Sequence, residues 1–273
     1  MRNRADDFGG LGRVIWRAVG IARLAAVAAI VACSGAGAPQ SARDSQGTSG
    51  GGAPQSSGTL TVLIEGTSLT AGLGLDPDQA YPALLQRKID STDLPFTVKN
   101  AGLSGETSAG ALRRLDWLLG GPVDVFVLET GANDGLRGLD VDSVRANIEA
   151  LIRGVKRMRP LVRICLVQME APTNLGPAYT RPFHDLYPAI ARAEGVTLLP
   201  FLLDGVTGQA ALNQADGIHP NVQGERIVAA TMWRGLEPVL RAEAAARINT
   251  AVMAAPPHGI GQRFAAARGP APG

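Results

Sequence analysis

The 273-residue chain is poor in several residue types, and each shortage excludes a class of protein. It has two cysteines, Cys33 and Cys165, which are too few for a disulfide framework and lack the CxxC spacing of metal and redox sites. No run of about 18 apolar residues occurs, so a multi-span membrane protein is excluded. Aromatic residues make up only 4% of the chain, but hydrophobic residues make up 45%, enough to bury a core that we expect to include Cys165.

The net charge of +2 is small and unevenly distributed. Residues 1–58 and residues 241–273 each carry a net charge of +3, whereas residues 59–240 hold 16 basic and 20 acidic side chains. An acidic central region lacks the clustered Lys and Arg side chains that bind phosphate groups. We therefore expect no nucleic-acid partner.

The N-terminal region has the pattern of an export signal. Arginines precede a short apolar run, residues 24–32, and Cys33 follows it directly. Nine apolar residues are too few to span a bilayer as a helix. Ile30-Val31-Ala32-Cys33 resembles a bacterial lipobox, in which the cysteine is lipidated; an ordinary cleavage site and an uncleaved anchor are the alternatives. We expect an exported protein of the bacterial cell envelope, in the periplasm and tethered to a membrane through Cys33.

Composition divides the chain into four segments. Residues 1–33 form the export signal, and residues 34–58 form a flexible linker rich in Gly, Ser and Pro. Residues 59–247 are predicted to be the folded domain. Residues 248–273 contain paired prolines and many glycines, and we expect them to be disordered.

Short β-rich runs alternate with longer amphipathic segments in the folded domain. The runs are residues 59–65, 96–101, 123–129, 163–169 and 196–200, and the helical segments lie near residues 80–90, 107–119, 141–159, 180–194 and 222–247. This series predicts a three-layer α/β/α sandwich around a five-stranded, mainly parallel sheet. Because ligands bind beyond the carboxyl ends of such strands, we expect functional residues after Glu65, Ala101, Glu129 and Met169.

Three blocks of residues follow the first three strands. Ser68 lies on a turn after the first strand, a position that exposes a hydroxyl but also occurs in ordinary turns. Gly105 lies in a turn before a helix, where a backbone N–H can approach an anion, although a plain glycine turn explains it equally well. The Asn133 amide can donate to an oxyanion, but the sequence Asn-Asp-Gly also simply makes turns.

A fourth block, Asp216-Gly217-Ile218-His219, precedes the last helix. This spacing lets the carboxylate hold one imidazole nitrogen while the other nitrogen faces a nucleophile. A capped loop histidine or a pair of metal ligands is the alternative. His258 lies in the predicted tail, and His184 lies in a Pro-flanked segment without an assigned carboxylate partner, so His219 is the preferred general base.

The ordered set of blocks resembles the SGNH or GDSL family of serine hydrolases over roughly residues 59–240. The segments that carry the resemblance are NAGLSGETS, ETGANDGLRG, LLPF and DGIHPN, and they are most similar to the bacterial periplasmic subgroup with thioesterase, lysophospholipase and arylesterase activity. The resemblance implies a flavodoxin-like SGNH fold, a triad of Ser68, His219 and Asp216, and an oxyanion hole formed by the Ser68 N–H, the Gly105 N–H and the Asn133 side chain. It also implies hydrolysis of acyl esters, thioesters or lysophospholipids through an acyl-enzyme, by a monomer without cofactor or metal.

One position departs from the family. The family has Asp where this chain has Thr67, so that GDSL reads GTSL. The missing Asp is not a triad member but helps to fix the nucleophile turn. Two hypotheses stay open: an active esterase, and a non-catalytic lipid- or glycan-binding lipoprotein with a degenerate site.

The loop after the fourth strand is the candidate contact for the substrate tail. By resemblance to the thioesterase subgroup, we expect Pro172, Leu175 and Tyr179 to touch that tail. A surface loop without substrate contact is the alternative.

Overall fold

Five strands pair in parallel in the order β2-β1-β3-β4-β5 in the computed structural model, which describes residues 58–254. They are β1 (Leu60–Gly66), β2 (Phe96–Gly102), β3 (Val125–Leu128), β4 (Arg163–Val167) and β5 (Thr197–Leu199). All five predicted strands are present, and their parallel pairing confirms the predicted fold class.

The helices are α1 (Ser68–Ala71), α2 (Tyr81–Asp90), α3 (Ser108–Arg113), α4 (Leu115–Leu118), α5 (Ala132–Leu136), α6 (Val141–Met158), α7 (Pro177–Glu194) and α8 (Val222–Ala254). Two 3₁₀ turns, Thr173–Leu175 and Ala210–Leu212, lie in the loops. Helix α2 packs against α8, whereas α6 packs against α3 and α7. The helices therefore form two layers, one on each face of the sheet.

The central strands are apolar because both faces of the sheet are covered. Every residue of β3 is buried, and β1 has only its first residue partly exposed. Strand β1 lies between β2 and β3, with Leu60 opposite Phe96 and Val62 opposite Val125. Cys165 in β4 is fully buried, as expected, and burial raises the pKa of its thiol to about 12.

The predicted helices differ from the observed ones in three places, and the short helices α1 and α5 were not predicted. The segment predicted as one helix over residues 107–119 is divided at Arg114 into α3 and α4. Helix α7 already begins at Pro177, because proline is well suited to the first turn of a helix. Helix α8 continues to Ala254, beyond the predicted domain end at residue 247.

The predicted export signal, Cys33 and nearly all of the predicted linker lie outside the described residues. Within residues 58–254, no helix combines the length and the apolar character needed to span a bilayer.

Candidate active site

Ser68 is the first residue of α1, directly after the carboxyl end of β1. Thr67 caps this one-turn helix, since its hydroxyl accepts the backbone N–H of Leu69 at 3.3 Å. Gly72 ends the helix in the left-handed conformation with φ of 72°. Ser68 is 8% exposed, so the turn presents the serine at the floor of a depression rather than on an open surface.

His219 connects Ser68 to Asp216. The Nε2 atom of His219 lies 2.9 Å from Ser68 Oγ, although the two residues are 151 positions apart. On the other side of the ring, Nδ1 lies 2.7 Å from Asp216 Oδ2. The structure thus brings together all three residues of the predicted triad, in the order serine, histidine, aspartate.

Asp216 also organises the loop that carries the histidine. Its Oδ1 atom accepts the backbone N–H groups of Ile218 at 2.9 Å and of His219 at 3.0 Å. The hydrogen bonds from the backbone and side chain of His219, with that of Ile218, lower the pKa of Asp216 from 3.8 to about 2. An ionised Asp216 favours a proton on Nδ1 of the imidazole, which leaves Nε2 free to accept the serine proton.

Two loops at the same edge of the sheet carry the predicted oxyanion donors. Gly105 follows β2 with φ of 79°, a left-handed conformation that favours glycine. Asn133 is not in a simple turn but in the short helix α5, and its amide donates to the carbonyl of Glu106 at 2.9 Å. Arg137 donates to the Gly105 carbonyl at 3.1 Å, so α5 holds the Gly105 loop by two hydrogen bonds. One N–H of the Asn133 amide remains for a ligand.

A cavity of about 950 Å³ opens beside Ser68. Asn133 and Ser68 both line it, and its walls are largely apolar. The apolar lining includes Leu69, Leu136, Met169, Phe201, Leu203 and Ile218. The volume lies in the range of small-molecule sites, and the apolar wall suits a hydrocarbon chain.

Only one of the three predicted substrate contacts lines this cavity. Pro172 is part of the wall, whereas Leu175 and Tyr179 lie outside the lining. The Tyr179 hydroxyl donates instead to the carbonyl of Leu139 at 2.6 Å, and its ring stacks on Phe183 with centroids 5.9 Å apart. Tyr179 therefore connects the first turn of α7 to the loop before α6 through this hydrogen bond.

His184 lines the cavity and has a carboxylate partner, which the sequence analysis did not assign. Nδ1 of His184 lies 2.6 Å from Glu170 Oε1, and Gln168 donates to the same oxygen at 3.3 Å. The sequence did not reveal this pair because 14 positions separate the two residues. It is His219, however, that contacts Ser68 Oγ.

Beneath the serine lies a buried carboxylate that the motifs did not identify. Glu129, the residue after β3, is fully buried. Its Oε2 atom accepts the Thr67 N–H at 2.7 Å, the Thr67 hydroxyl at 3.0 Å and the Thr70 hydroxyl at 2.9 Å. Burial raises the pKa of Glu129 from 4.5 to about 7, and these hydrogen bonds limit the rise. An acidic residue at the end of a wholly apolar strand was the available sequence signal.

A second buried acidic group adjoins Glu129. Burial, followed by the neighbouring charges of Glu129 and Glu106, raises the pKa of Glu65 well above its usual range, and Arg114 opposes the rise. Arg114 Nη2 lies 3.2 Å from Glu65 Oε1, and its Nε lies 2.7 Å from Glu106 Oε1. Arg114 is thus the cation that accompanies the buried acids, and it lies at the junction between α3 and α4.

Known proteins are similar to this chain over the region that contains these residues. A model of the GDSL-like Lipase/Acylhydrolase family matches residues 65–227. Esterase TesA of Pseudomonas aeruginosa is 37% identical over 187 residues, which cover 68% of this chain and 92% of that protein. Thioesterase 1/protease 1/lysophospholipase L1 of Escherichia coli is 37% identical over 183 residues, which cover 66% and 85% of the two chains.

A solved structure is similar over the same region. The crystal structure of the psychrotrophic esterase EstA from Pseudoalteromonas sp., inhibited by monoethylphosphonate, superposes with a TM-score of 0.63 at 34% identity. The superposition covers 66% of this chain and 98% of EstA. The segment matched by the family model contains the candidate site from Ser68 to His219.

Proposed function

Because this chain belongs to the GDSL-like lipase/acylhydrolase family and is a carboxylic ester hydrolase of that family, we propose that it cleaves acyl esters and thioesters through an acyl-enzyme on Ser68. The observation that carries the proposal is the unbroken series of contacts from Ser68 Oγ through His219 to Asp216, at 2.9 and 2.7 Å. A serine hydroxyl is a weak nucleophile unless an adjacent base removes its proton.

In the first step, His219 Nε2 accepts the proton of Ser68 Oγ while that oxygen attacks the carbonyl carbon of the substrate. The resulting imidazolium is stabilised by the ionised carboxylate of Asp216. The same proton then passes to the leaving alcohol or thiol. In the second step, His219 deprotonates a water molecule that attacks the acyl-enzyme, and it then returns the proton to Ser68 Oγ as the carboxylic acid is released.

The negative charge of the tetrahedral intermediate needs hydrogen-bond donors that are already in place. We assign this role to the N–H groups of Ser68 and Gly105 and to the Asn133 side chain. The hydrogen bond from Asn133 to the Glu106 carbonyl supports the assignment, because it fixes the amide beside the Gly105 loop. Preorganised donors of this kind are each worth about 10²–10³ in turnover.

The substrate proposal is an ester or thioester with an apolar acyl chain. The apolar wall of the cavity beside Ser68 supports it, because burying each methylene group contributes about 0.8 kcal/mol. Lysophospholipids belong to the same class, and the Escherichia coli relative carries thioesterase and lysophospholipase in its name. Turnover of nitrophenyl esters of increasing chain length would show how much of the cavity the acyl chain fills.

We further propose that the working protein is exported, as a periplasmic lipoprotein attached through Cys33, and acts as a monomer. Removal of the segment before Cys33 takes away five Arg and two Asp, so the mature chain has a net charge of −1. The intact mass of the protein recovered from the envelope tests this, since it reports both the cleavage position and any attached acyl groups.

The proposed activity is tested by hydrolysis of a nitrophenyl ester by wild type, Ser68→Ala and His219→Ala. We expect both variants to fold and to lose about 10³-fold or more of kcat. Asp204→Asn, a change at an exposed surface carboxylate, is the control and should hydrolyse the ester at the wild-type rate. Substantial activity in Ser68→Ala would refute the serine mechanism.

A further inference from the structure

We propose that Glu129 is a positioning residue for Ser68, and that its carboxylate fixes the nucleophile turn in a chain where Thr67 replaces the Asp expected there. The inference rests on the proposed role of Ser68 as nucleophile. It assigns a function to a group that lies outside the triad and outside the oxyanion donors.

The hydrogen bonds to Glu129 come from both sides of the serine. Thr67, the residue before Ser68, donates its N–H at 2.7 Å and its hydroxyl at 3.0 Å to Oε2. Thr70, two residues after Ser68, donates its hydroxyl to the same atom at 2.9 Å. The Tyr81 hydroxyl lies 2.7 Å from Thr70 Oγ1, and this hydrogen bond also fixes the Thr70 side chain. One buried carboxylate therefore accepts hydrogen bonds from residues on both sides of the nucleophile.

The sheet determines where this carboxylate lies. The N–H of Glu129 donates to the carbonyl of Glu65 at 2.9 Å, so the ends of β1 and β3 are held together by the backbone. From this position the Glu129 side chain extends across β1 to the turn that follows it. The carboxylate is thus anchored to a rigid sheet, whereas α1 is a single turn with little stability of its own.

Gly66 provides the space for the contact. A Cβ atom at this position would lie 2.6 Å from Glu129 Oε2 and 2.1 Å from Thr70 Oγ1, closer than such atoms approach in proteins. The carboxylate therefore lies directly against the backbone of the nucleophile turn. Any side chain at residue 66 would push Glu129 and Thr70 away from their observed positions.

Glu129 acts through the turn and not on the substrate. It is fully buried, it is not part of the cavity wall, and its carboxylate accepts hydrogen bonds from Thr67 and Thr70. Its effect on the reaction must therefore arise from the orientation of Ser68 Oγ and of the Ser68 N–H. A misplacement of about 1 Å at a reacting group costs up to about 10²-fold in rate.

Glutamine is the conservative replacement that separates geometry from charge. Its oxygen, in the position of Oε2, accepts the Thr67 N–H and the Thr70 hydroxyl as before. Its NH₂ group takes the position of Oε1, which lies 3.1 Å from Thr67 Oγ1, and the threonine hydroxyl can then accept instead of donate. Leucine has a similar volume but can make none of these bonds.

The test compares Glu129→Leu and Glu129→Gln with wild type, using kcat and KM for a nitrophenyl ester. We expect Glu129→Leu to lower kcat about 10- to 100-fold, with KM within about twofold of wild type, because the cavity is unchanged. We expect Glu129→Gln to retain kcat within about threefold. All rates are measured well below the melting temperature that circular dichroism gives for each variant.

Glu225 provides a control for the general effect of removing a buried acid. It is buried and accepts a backbone N–H, that of Tyr81, at 2.7 Å, but it does not contact the nucleophile turn. Glu225→Leu is expected to lower the melting temperature and to leave kcat within about twofold. An equal loss of kcat in Glu225→Leu and Glu129→Leu would overturn the inference.

A second pair of variants tests the same contact if Glu129→Leu fails to fold. Thr67→Ser keeps the hydroxyl and should retain kcat, whereas Thr67→Val keeps only the backbone N–H bond to Glu129 and should lose about tenfold in kcat. Equal rates for these two variants, or a folded Glu129→Leu with wild-type kcat, would overturn the inference. Ser68→Ala separates failure of this inference from failure of the proposed function. If Glu129 proves dispensable while Ser68→Ala is inactive, only the inference about Glu129 is overturned.

Discussion

In the proposed mechanism, two carboxylates support the same serine from opposite environments. Asp216 lies in a loop with 44% of its side chain exposed. Glu129 follows the central strand β3 and has no solvent contact. Hydrogen bonds lower the pKa of Asp216 to about 2, while burial raises the pKa of Glu129 to about 7. Both accept backbone N–H groups, so it is burial and not the number of hydrogen bonds that separates their pKa values.

This difference in pKa fits the two proposed roles, partner of the imidazolium for Asp216 and positioning of the turn for Glu129. A partner for the imidazolium must be charged throughout the working range of pH, and Asp216 meets that requirement. A group that fixes a backbone turn needs well-placed acceptor atoms more than a permanent charge, and Glu129 has them in a rigid position. The two residues are thus not interchangeable, and variants at each should fail in different ways.

The largest effect is expected from Asp216→Asn. An amide holds the imidazole in the wrong tautomer and cannot stabilise the imidazolium, so kcat should fall by about 10⁴-fold while KM changes little. Asp204→Asn, which removes an exposed surface carboxylate outside the cavity wall, is the control and should stay near wild type. Stopped-assay kinetics at pH 7 measure both. A loss of less than tenfold in Asp216→Asn would contradict its assignment.

Asn133→Ala tests a neutral group of the proposed site. It removes a proposed oxyanion donor and should lower kcat by about 10²–10³-fold in a folded protein. The activity and the melting temperature of the purified variant are the readouts. Retention of more than half of the esterase activity would show that Asn133 is not part of the oxyanion hole.

Gly66→Ala should disturb the hydrogen bonds of Glu129 without altering any side chain of the triad. The added methyl group collides with Glu129 Oε2 and Thr70 Oγ1, so we expect a loss of about 1–3 kcal/mol in the free energy of unfolding and a fall of about tenfold in kcat. Urea unfolding and ester hydrolysis measure the two effects. Gly208→Ala is the control for a glycine with no atom near its Cβ position, although its φ of 75° brings some strain. A Gly66→Ala protein with wild-type stability and rate would mean that the turn adapts freely.

The smallest effect concerns the pH dependence of stability. The folded-state pKa of Glu129, about 7, lies above its ordinary value of 4.5, so the folded protein binds this proton more tightly than the unfolded chain does. Its contribution to the free energy of unfolding is therefore present below pH 4.5 and is lost as the pH rises through about 7. Asp216 behaves oppositely, and its contribution is lost as the pH falls from about 4 to about 2.

Glu129→Gln isolates that contribution. The variant should show a smaller decline of stability between pH 5 and pH 8 than wild type, because one of the buried titrating groups is gone. Urea unfolding at half-unit pH steps gives the comparison. Parallel stability curves for the two proteins would show that Glu129 titrates alike in the folded and unfolded chain.

The meeting of the motif residues at one edge of the sheet was predictable from the sequence, whereas the contact of Glu129 with the nucleophile turn was not. Ser68, Asn133 and Asp216 with His219 each follow a strand or precede a helix, and the carboxyl edge of a parallel sheet necessarily brings such residues together. Glu129 also ends a strand, but its contact with Thr67 depends on the register of β1 against β3 and on the space left by Gly66. Local patterns do not contain that information.

The helices show the same division between local and tertiary causes. Helix α6 was predicted within one residue, because Asp140 caps it and its apolar residues recur on one face. The break at Arg114, whose guanidinium pairs with Glu65 and Glu106, was missed because no proline within residues 107–119 marks it. The short helices α1 and α5 were also missed, because four or five residues carry no periodic pattern.

The measurement that tests the central claim most directly is the site of covalent reaction with a fluorophosphonate. The proposed mechanism predicts one adduct per chain, located on Ser68 by peptide mass mapping and absent from Ser68→Ala. The same account predicts slower labelling in Glu129→Leu and near wild-type labelling in Glu129→Gln. A wild-type protein that forms no adduct, or that carries it on another residue, would contradict the role of Ser68 as the nucleophile.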